Sequence, residues 1–136
     1  MNIILMKKTF NLLLFTILFV SCGSNRSISQ IDQKIEGTKG KKIVLQKVFN
    51  DSRCPEGVKC IWEGEVTIQL AYCEDGQIKE EKQFIVRANE QEEILEWFRS
   101  HLPKSEKILQ TISVLPAKKG DGKQIRSTDY TIVLGY

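Results

Sequence analysis

The chain has 136 residues, with 20 Lys or Arg against 17 Asp or Glu, a net charge of +3, four cysteines and one histidine. That length suits a single domain with one modest core. The near-balanced charge, with no concentrated basic run, argues against nucleic-acid binding.

At the N-terminus, Lys7 and Lys8 precede an apolar run from Phe10 to Val20, broken only by Asn11 and Thr16. The run is too short to cross a hydrocarbon layer of about 30 Å, which takes about 20 apolar residues. A short positive segment, a short apolar stretch and a small residue before a cut describe a secretory signal peptide. Phe19-Val20-Ser21-Cys22 resembles the bacterial lipobox, with Phe19 where leucine is usual. That resemblance implies diacylglyceryl transfer to the Cys22 thiol and cleavage between Ser21 and Cys22. The mature protein is then acylated, with chains such as palmitate, and held in the cell envelope, with the outer membrane as the expected site. Met6-Lys7-Lys8 makes a more ordinary start than Met1, which puts three aliphatic residues ahead of the lysines. Loss of Lys7 and Lys8 with the leader leaves 18 basic and 17 acidic residues, so part of the apparent basicity is an export signal.

The reading is therefore a leader over 1–21, a lipid-anchored tether over 22–33 and one β-rich domain over 34–136. The tether is rich in Ser, Gln and other polar residues. In the body, Lys42 to Phe49 reads as a strand without clean alternation. Glu65 to Tyr72 alternates clearly, with Val66, Ile68, Leu70 and Tyr72 on one side. Glu74-Asp75-Gly76 reads as a tight turn, and Gln77 to Arg87 returns as the partner strand with Ile78, Phe84 and Val86 on one face. Ile94, Leu95, Trp97, Phe98 and Leu102 recur at near-helical spacing after Asn89, a candidate cap, with Glu92 placed for a capping box. Pro103 ends that helix. Lys107 to Leu115 and Ser127 to Leu134 read as a second antiparallel pair. Short strands, one short helix and frequent turns predict a mainly-β fold, a small antiparallel sandwich or barrel.

The densest motif is Asp51-Ser52-Arg53-Cys54-Pro55-Glu56-Gly57-Val58-Lys59-Cys60-Ile61-Trp62-Glu63-Gly64. In an exported protein, Cys54 and Cys60 are most simply a disulfide. Asp51 and Arg53 are expected to pair with each other or with loop backbone. Trp62 is expected to cover the ring and anchor it on the sheet. Asp51, Arg53, Trp62 and Glu63 form the candidate binding loop.

This D-S-R-C-P-x-x-V-x-C-x-W-x-G pattern resembles an uncharacterised family of short bacterial lipoproteins and secreted proteins. Ile112-Ser113-Val114-Leu115-Pro116 and Asp129-Tyr130, followed by alternating apolar residues, look like the family's closing hairpin. The resemblance covers roughly Ile43 to Tyr136. It implies an exported β-rich domain and carries no activity. Glu63 stands where many relatives have a small residue.

The alternative chemistry is metal or redox handling by Cys54, Cys60 and Cys73 with His101, since zinc accepts thiolates and imidazole. The spacing disfavours it, because ligands of structural zinc sites usually come in close pairs. Cys73 reads instead as a buried or half-buried thiol at a strand end, and His101 as a helix-end residue. A cysteine hydrolase needs a free activated thiol near His101. Glu80-Glu81 and Glu92-Glu93 are adjacent carboxylates that point apart in regular structure. Lys118, Lys119 and Lys123 read as solvated loop charges, with an anionic surface as their alternative partner. The sequence thus points to a non-catalytic binding or accessory module without metal or cofactor. It is held to a membrane by its N-terminal lipid and contacts an envelope protein, a hydrolase to be inhibited being one specific case.

Overall fold

The computed structural model describes residues 28–31 and 40–136. The expected leader and Cys22, the expected lipidation site, lie outside them. Among the described residues there are six strands: β1 (Ile28–Ile31), β2 (Lys41–Phe49), β3 (Val66–Glu74), β4 (Gln77–Val86), β5 (Thr111–Leu115) and β6 (Thr131–Gly135). One α-helix, α1 (Glu92–His101), follows β4. The strands form two three-stranded antiparallel sheets, ordered β2-β3-β4 and β1-β6-β5. The mainly-β expectation holds, as a sandwich of two separate ladders.

Side-chain period explains the packing. Val66, Ile68 and Leu70 of β3, Phe84 and Val86 of β4, Ile112 and Val114 of β5 and Ile132 and Leu134 of β6 are all buried in one cluster. Each strand sends alternate residues inward, so the two sheets share a core between their apolar faces. The helix closes that core with Ile94, Leu95, Trp97 and Phe98, spaced as one stripe of a helix. Phe84 and Phe98 each meet the Trp97 ring edge-on at 5.5 Å between centroids, a favoured aromatic geometry. The indole N–H donates to Glu80 at 2.7 Å, so this buried Trp keeps its polar atom satisfied.

The β3–β4 connection is a two-residue turn at Asp75 and Gly76, with φ of 50° and 79°. Both positive angles match the hairpin turn whose twist suits the flanking strands. The structure departs from the expected elements at five places. Ile78 does not share a face with Phe84 and Val86. A register shift between Tyr72 and Cys73 pairs Cys73 with Ile78 but Tyr72 with Glu80. The bulge turns Ile78 outward, where it is 47% exposed. Lys107 to Gln110 stays outside β5, and Ser127–Asp129 is a 3-10 turn ahead of β6. The helix begins after Gln91 rather than being capped by Asn89, whose amide instead donates to Glu63. Finally, Ile28–Ile31, within the segment read as tether, pairs with β6 from Ile28↔Gly135 to Ile31↔Ile132. Ile31 is buried in the core, so the folded body takes in residues ahead of Lys34.

Candidate binding loop and its clamp

The segment between β2 and β3 carries the cysteine motif, and its two arms run side by side. Ser52 N–H donates to the Glu65 carbonyl and Cys54 N–H to the Glu63 carbonyl, both at 2.9 Å. The Ser52 hydroxyl accepts from the Glu65 N–H at 3.2 Å. Between these arms sits Gly64, buried at φ 74°, and a Cβ there would lie 2.0 Å from the Ser52 carbonyl oxygen. Only glycine permits this approach. The Cys54–Cys60 disulfide then closes the ring beyond the arms.

A polar clamp fixes the base of the loop. Arg53 grips Asp51 with two parallel bonds, Nε to Oδ1 at 2.8 Å and Nη2 to Oδ2 at 2.7 Å. This fork geometry is the strong form of an ion pair. The same guanidinium donates through Nη1 to the Val114 carbonyl and through Nη2 to the Pro116 carbonyl at 3.0 Å. Tyr130, just before β6, donates its hydroxyl to Asp51 Oδ2 at 2.9 Å. Lys118 Nζ donates to the Asp51 carbonyl at 3.1 Å. Three chain segments distant in sequence meet on one carboxylate and one guanidinium. Burial alone would raise the Asp51 pKa, but the Arg53 bonds and charge, with the Tyr130 hydroxyl, bring it below its usual value. Burial, with Asp51 beside it, pushes the Tyr130 phenol up to about 12.

The clamp also bears on the outer edge of β5. Gln91, at the N-cap position of α1, leaves that helix uncapped by its side chain. Its amide instead donates to the Ile112 carbonyl at 2.9 Å and accepts from the Ile112 N–H at 3.0 Å. Gln91 thus covers both peptide groups of Ile112, and Arg53 covers the Val114 carbonyl.

At the tip of the loop the chemistry changes. Ile61 is 108% exposed and Trp62 60% exposed, with Val58 also projecting. The expectation that Trp62 anchors the ring on the sheet is overturned. The Gly64 turn draws the two arms together beneath the ring, so the indole stands on top of the loop instead of under it. Glu63 is exposed, its carboxylate 3.4 Å from the Asn89 amide and its carbonyl held by Cys54. Of the candidate loop residues, Asp51 and Arg53 serve the clamp while Trp62 and Glu63 face solvent.

The remaining candidates lie elsewhere. Cys73 is a buried free thiol near the far end of β3, packed with Val44 and Ala71 on the outer face of its sheet. His101 stacks against Trp97 at 4.3 Å and Tyr72 at 4.7 Å between ring centroids. Its Nε2 lies 3.1 Å from Glu80 and its Nδ1 2.8 Å from the Trp97 carbonyl. The Trp97 indole N–H first, then His101, hold the Glu80 carboxyl below its usual value. This cluster ties the end of α1 to β4. No group of three or more metal-ligating side chains occurs among the described residues. No helix among them is long and apolar enough to cross a membrane.

Sequence reasoning missed Tyr130 as a partner of the motif and Gln91 as a partner of β5. Asp129-Tyr130 stood out only as part of a hairpin, and Gln91 carries no local signal because its partner is 21 positions away. Compared with known proteins, the chain matches no family model, no curated protein and no solved structure.

Proposed function

We propose that this chain is a lipid-anchored, non-catalytic binding module of the bacterial envelope, and that the tip of the disulfide loop is its contact surface. The observation that carries this reading is the pairing of exposure with rigidity. Ile61 and Trp62 project into solvent from a loop bolted by a disulfide and by the Asp51–Arg53–Tyr130 clamp. Large apolar side chains grouped on a surface mark interaction sites, and Trp is among the residues that dominate binding energy. A loop already held in one shape loses little conformational entropy on binding. Two of the three mature-domain thiols are joined in the ring, where they serve geometry. Anchorage through Cys22 would keep the module at high local concentration near envelope partners.

The test compares retention of envelope proteins by the lipidated chain and by an Ile61→Ser/Trp62→Ser variant, after cross-linking in intact cells. Both side chains are exposed, so the urea midpoint should stay within about 0.5 kcal/mol of the parent for each change. A specific cross-linked partner should disappear in the variant. Equal capture by both chains would remove the tip from the binding surface. A large loss of stability would return Trp62 to a structural role.

A further inference from the structure

We infer that the lysine-lined cleft beside the loop tip receives an acidic segment of the protein that the tip captures, an inference that rests on the binding-module reading above. The connection from β5 to β6 passes along the disulfide ring. Glu56 N–H donates to the Lys118 carbonyl at 2.8 Å, and Glu56 and Lys119 form a parallel bridge. Between the ring and this connection lies a cleft of about 450 Å³. Pro55, Val58, Ile125 and Tyr130 form its apolar parts. Lys118, Lys119 and Lys123 supply its charge.

The charge balance of the cleft is unequal. Asp51 is the one carboxylate among its lining residues, and it is already held by Arg53 and Tyr130. Lys123 meets Asp121 only at 3.9 Å, with its side chain 85% exposed. Lys119 forms no ion pair among the described residues. An occupant that brings carboxylates would complete these cations, and complementary potentials of this kind steer encounter and fix register. Val58 belongs both to the cleft wall and to the exposed loop, so cleft and apolar tip are one continuous surface. A peptide segment offers acidic and apolar side chains together. A phosphate polymer offers only charge.

The start of the described chain and the cleft lie toward opposite ends of β6. β1 runs antiparallel to β6 with Ile28 beside Gly135 and Ile31 beside Ile132. The clamp, the cleft and the loop adjoin Tyr130, at the opposite end of β6. Five strand residues separate these ends by about 17 Å. On the proposed anchor, the lipid is attached ahead of Ile28, at the end of β6 away from the cleft.

The experiment uses the full lipidated chain in detergent micelles. The probe is a synthetic decapeptide of glutamates with two central leucines, and inorganic polyphosphate of equal charge is the comparison. Binding is read by calorimetry and by Trp62 fluorescence. The peptide should bind more tightly than polyphosphate, and Lys119→Glu/Lys123→Glu should weaken it about tenfold or more with an unchanged melting temperature. Unchanged peptide affinity in that variant, or polyphosphate binding at least as tightly, would overturn the inference. In a second arm the chain is anchored on vesicles of phosphatidylcholine or phosphatidylglycerol, and Lys119 and Lys123 are labelled with an amine reagent. Equal labelling is expected, whereas protection on the anionic vesicles would place lipid headgroups in the cleft and overturn it. The two readings fail separately. If the lysine variant binds the peptide normally while cross-linking still depends on Ile61 and Trp62, only the cleft is lost. If cross-linking ignores the tip, the module reading falls while peptide affinity still reports on the cleft.

Discussion

Gly64 and Tyr130 show how much of this surface depends on single atoms. A Cβ at Gly64 would meet the Ser52 carbonyl at 2.0 Å, and the backbone there holds a positive φ. Gly64→Ala is therefore expected to lower stability by more than about 2 kcal/mol, combining a left-handed backbone with a backbone clash. Urea unfolding checks it. A loss within about 0.5 kcal/mol would mean that the two arms part easily. Asp51 and Tyr130 predict a pH profile with two limbs. The folded Asp51 pKa lies below its ordinary value of 3.8, so its contribution is present above that value and lost as pH falls through the folded pKa. The folded Tyr130 pKa is raised from 10.0 to about 12, so its contribution is full below 10.0 and lost as pH rises through about 12. Tyr130→Phe should abolish the alkaline limb and shift the acid limb upward, because Asp51 loses a donor. Thermal melts across pH would show it, and an unchanged alkaline limb would assign that titration to another group.

Among the elements, the ring is the one whose contribution can be isolated. In the chain-entropy view, closing so short a loop is worth about 2 kcal/mol. Replacing Cys54 and Cys60 together by serine should cost about that much in denaturant and leave the β-rich spectrum intact. A loss near zero would mean that the clamp alone holds the loop. The strands whose side chains alternate were legible in advance, because β3, β5 and β6 each have one core-facing side. Three features were not legible. The bulge opposite Cys73 turns Ile78 outward, and no local residue type announces it. Asn89 looks like a cap, but Gln91 occupies that position and spends its amide on β5, a contact set by tertiary structure. Trp62 carries a large apolar area, which at sequence level argues for burial. Its actual position follows from how Gly64 folds the two arms together.

At the scale of the whole molecule, a β-rich body was legible in the sequence, but not where that body starts. Ile28–Ile31 carries two isoleucines in polar surroundings, too weak a period to read as a strand, yet it supplies an edge to the second sheet. If the thiol of Cys22 carries the anchor, Cys22→Ala should stop acylation and lipoprotein-specific cleavage. The parent should leave membranes with detergent but not with salt, since more than one acyl chain makes release slow. Membrane partition with the parent's mature mass in the variant would refute the lipid assignment. A strand margin with unmet peptide groups is a template for any other extended chain. Ile112 and Val114 present such a margin, and Gln91 and Arg53 stopper it. On the proposed lipid anchor, many copies crowded in one plane would otherwise stitch together strand to strand, and the proposed contact tip would be lost inside the aggregate. Gln91→Ala, which unstoppers Ile112 while leaving the clamp whole, should therefore make the chain self-associate more strongly than the parent as its concentration rises. Sedimentation across a concentration series would detect that change, and concentration-independent behaviour of the variant would show that the margin is guarded by something other than this one amide.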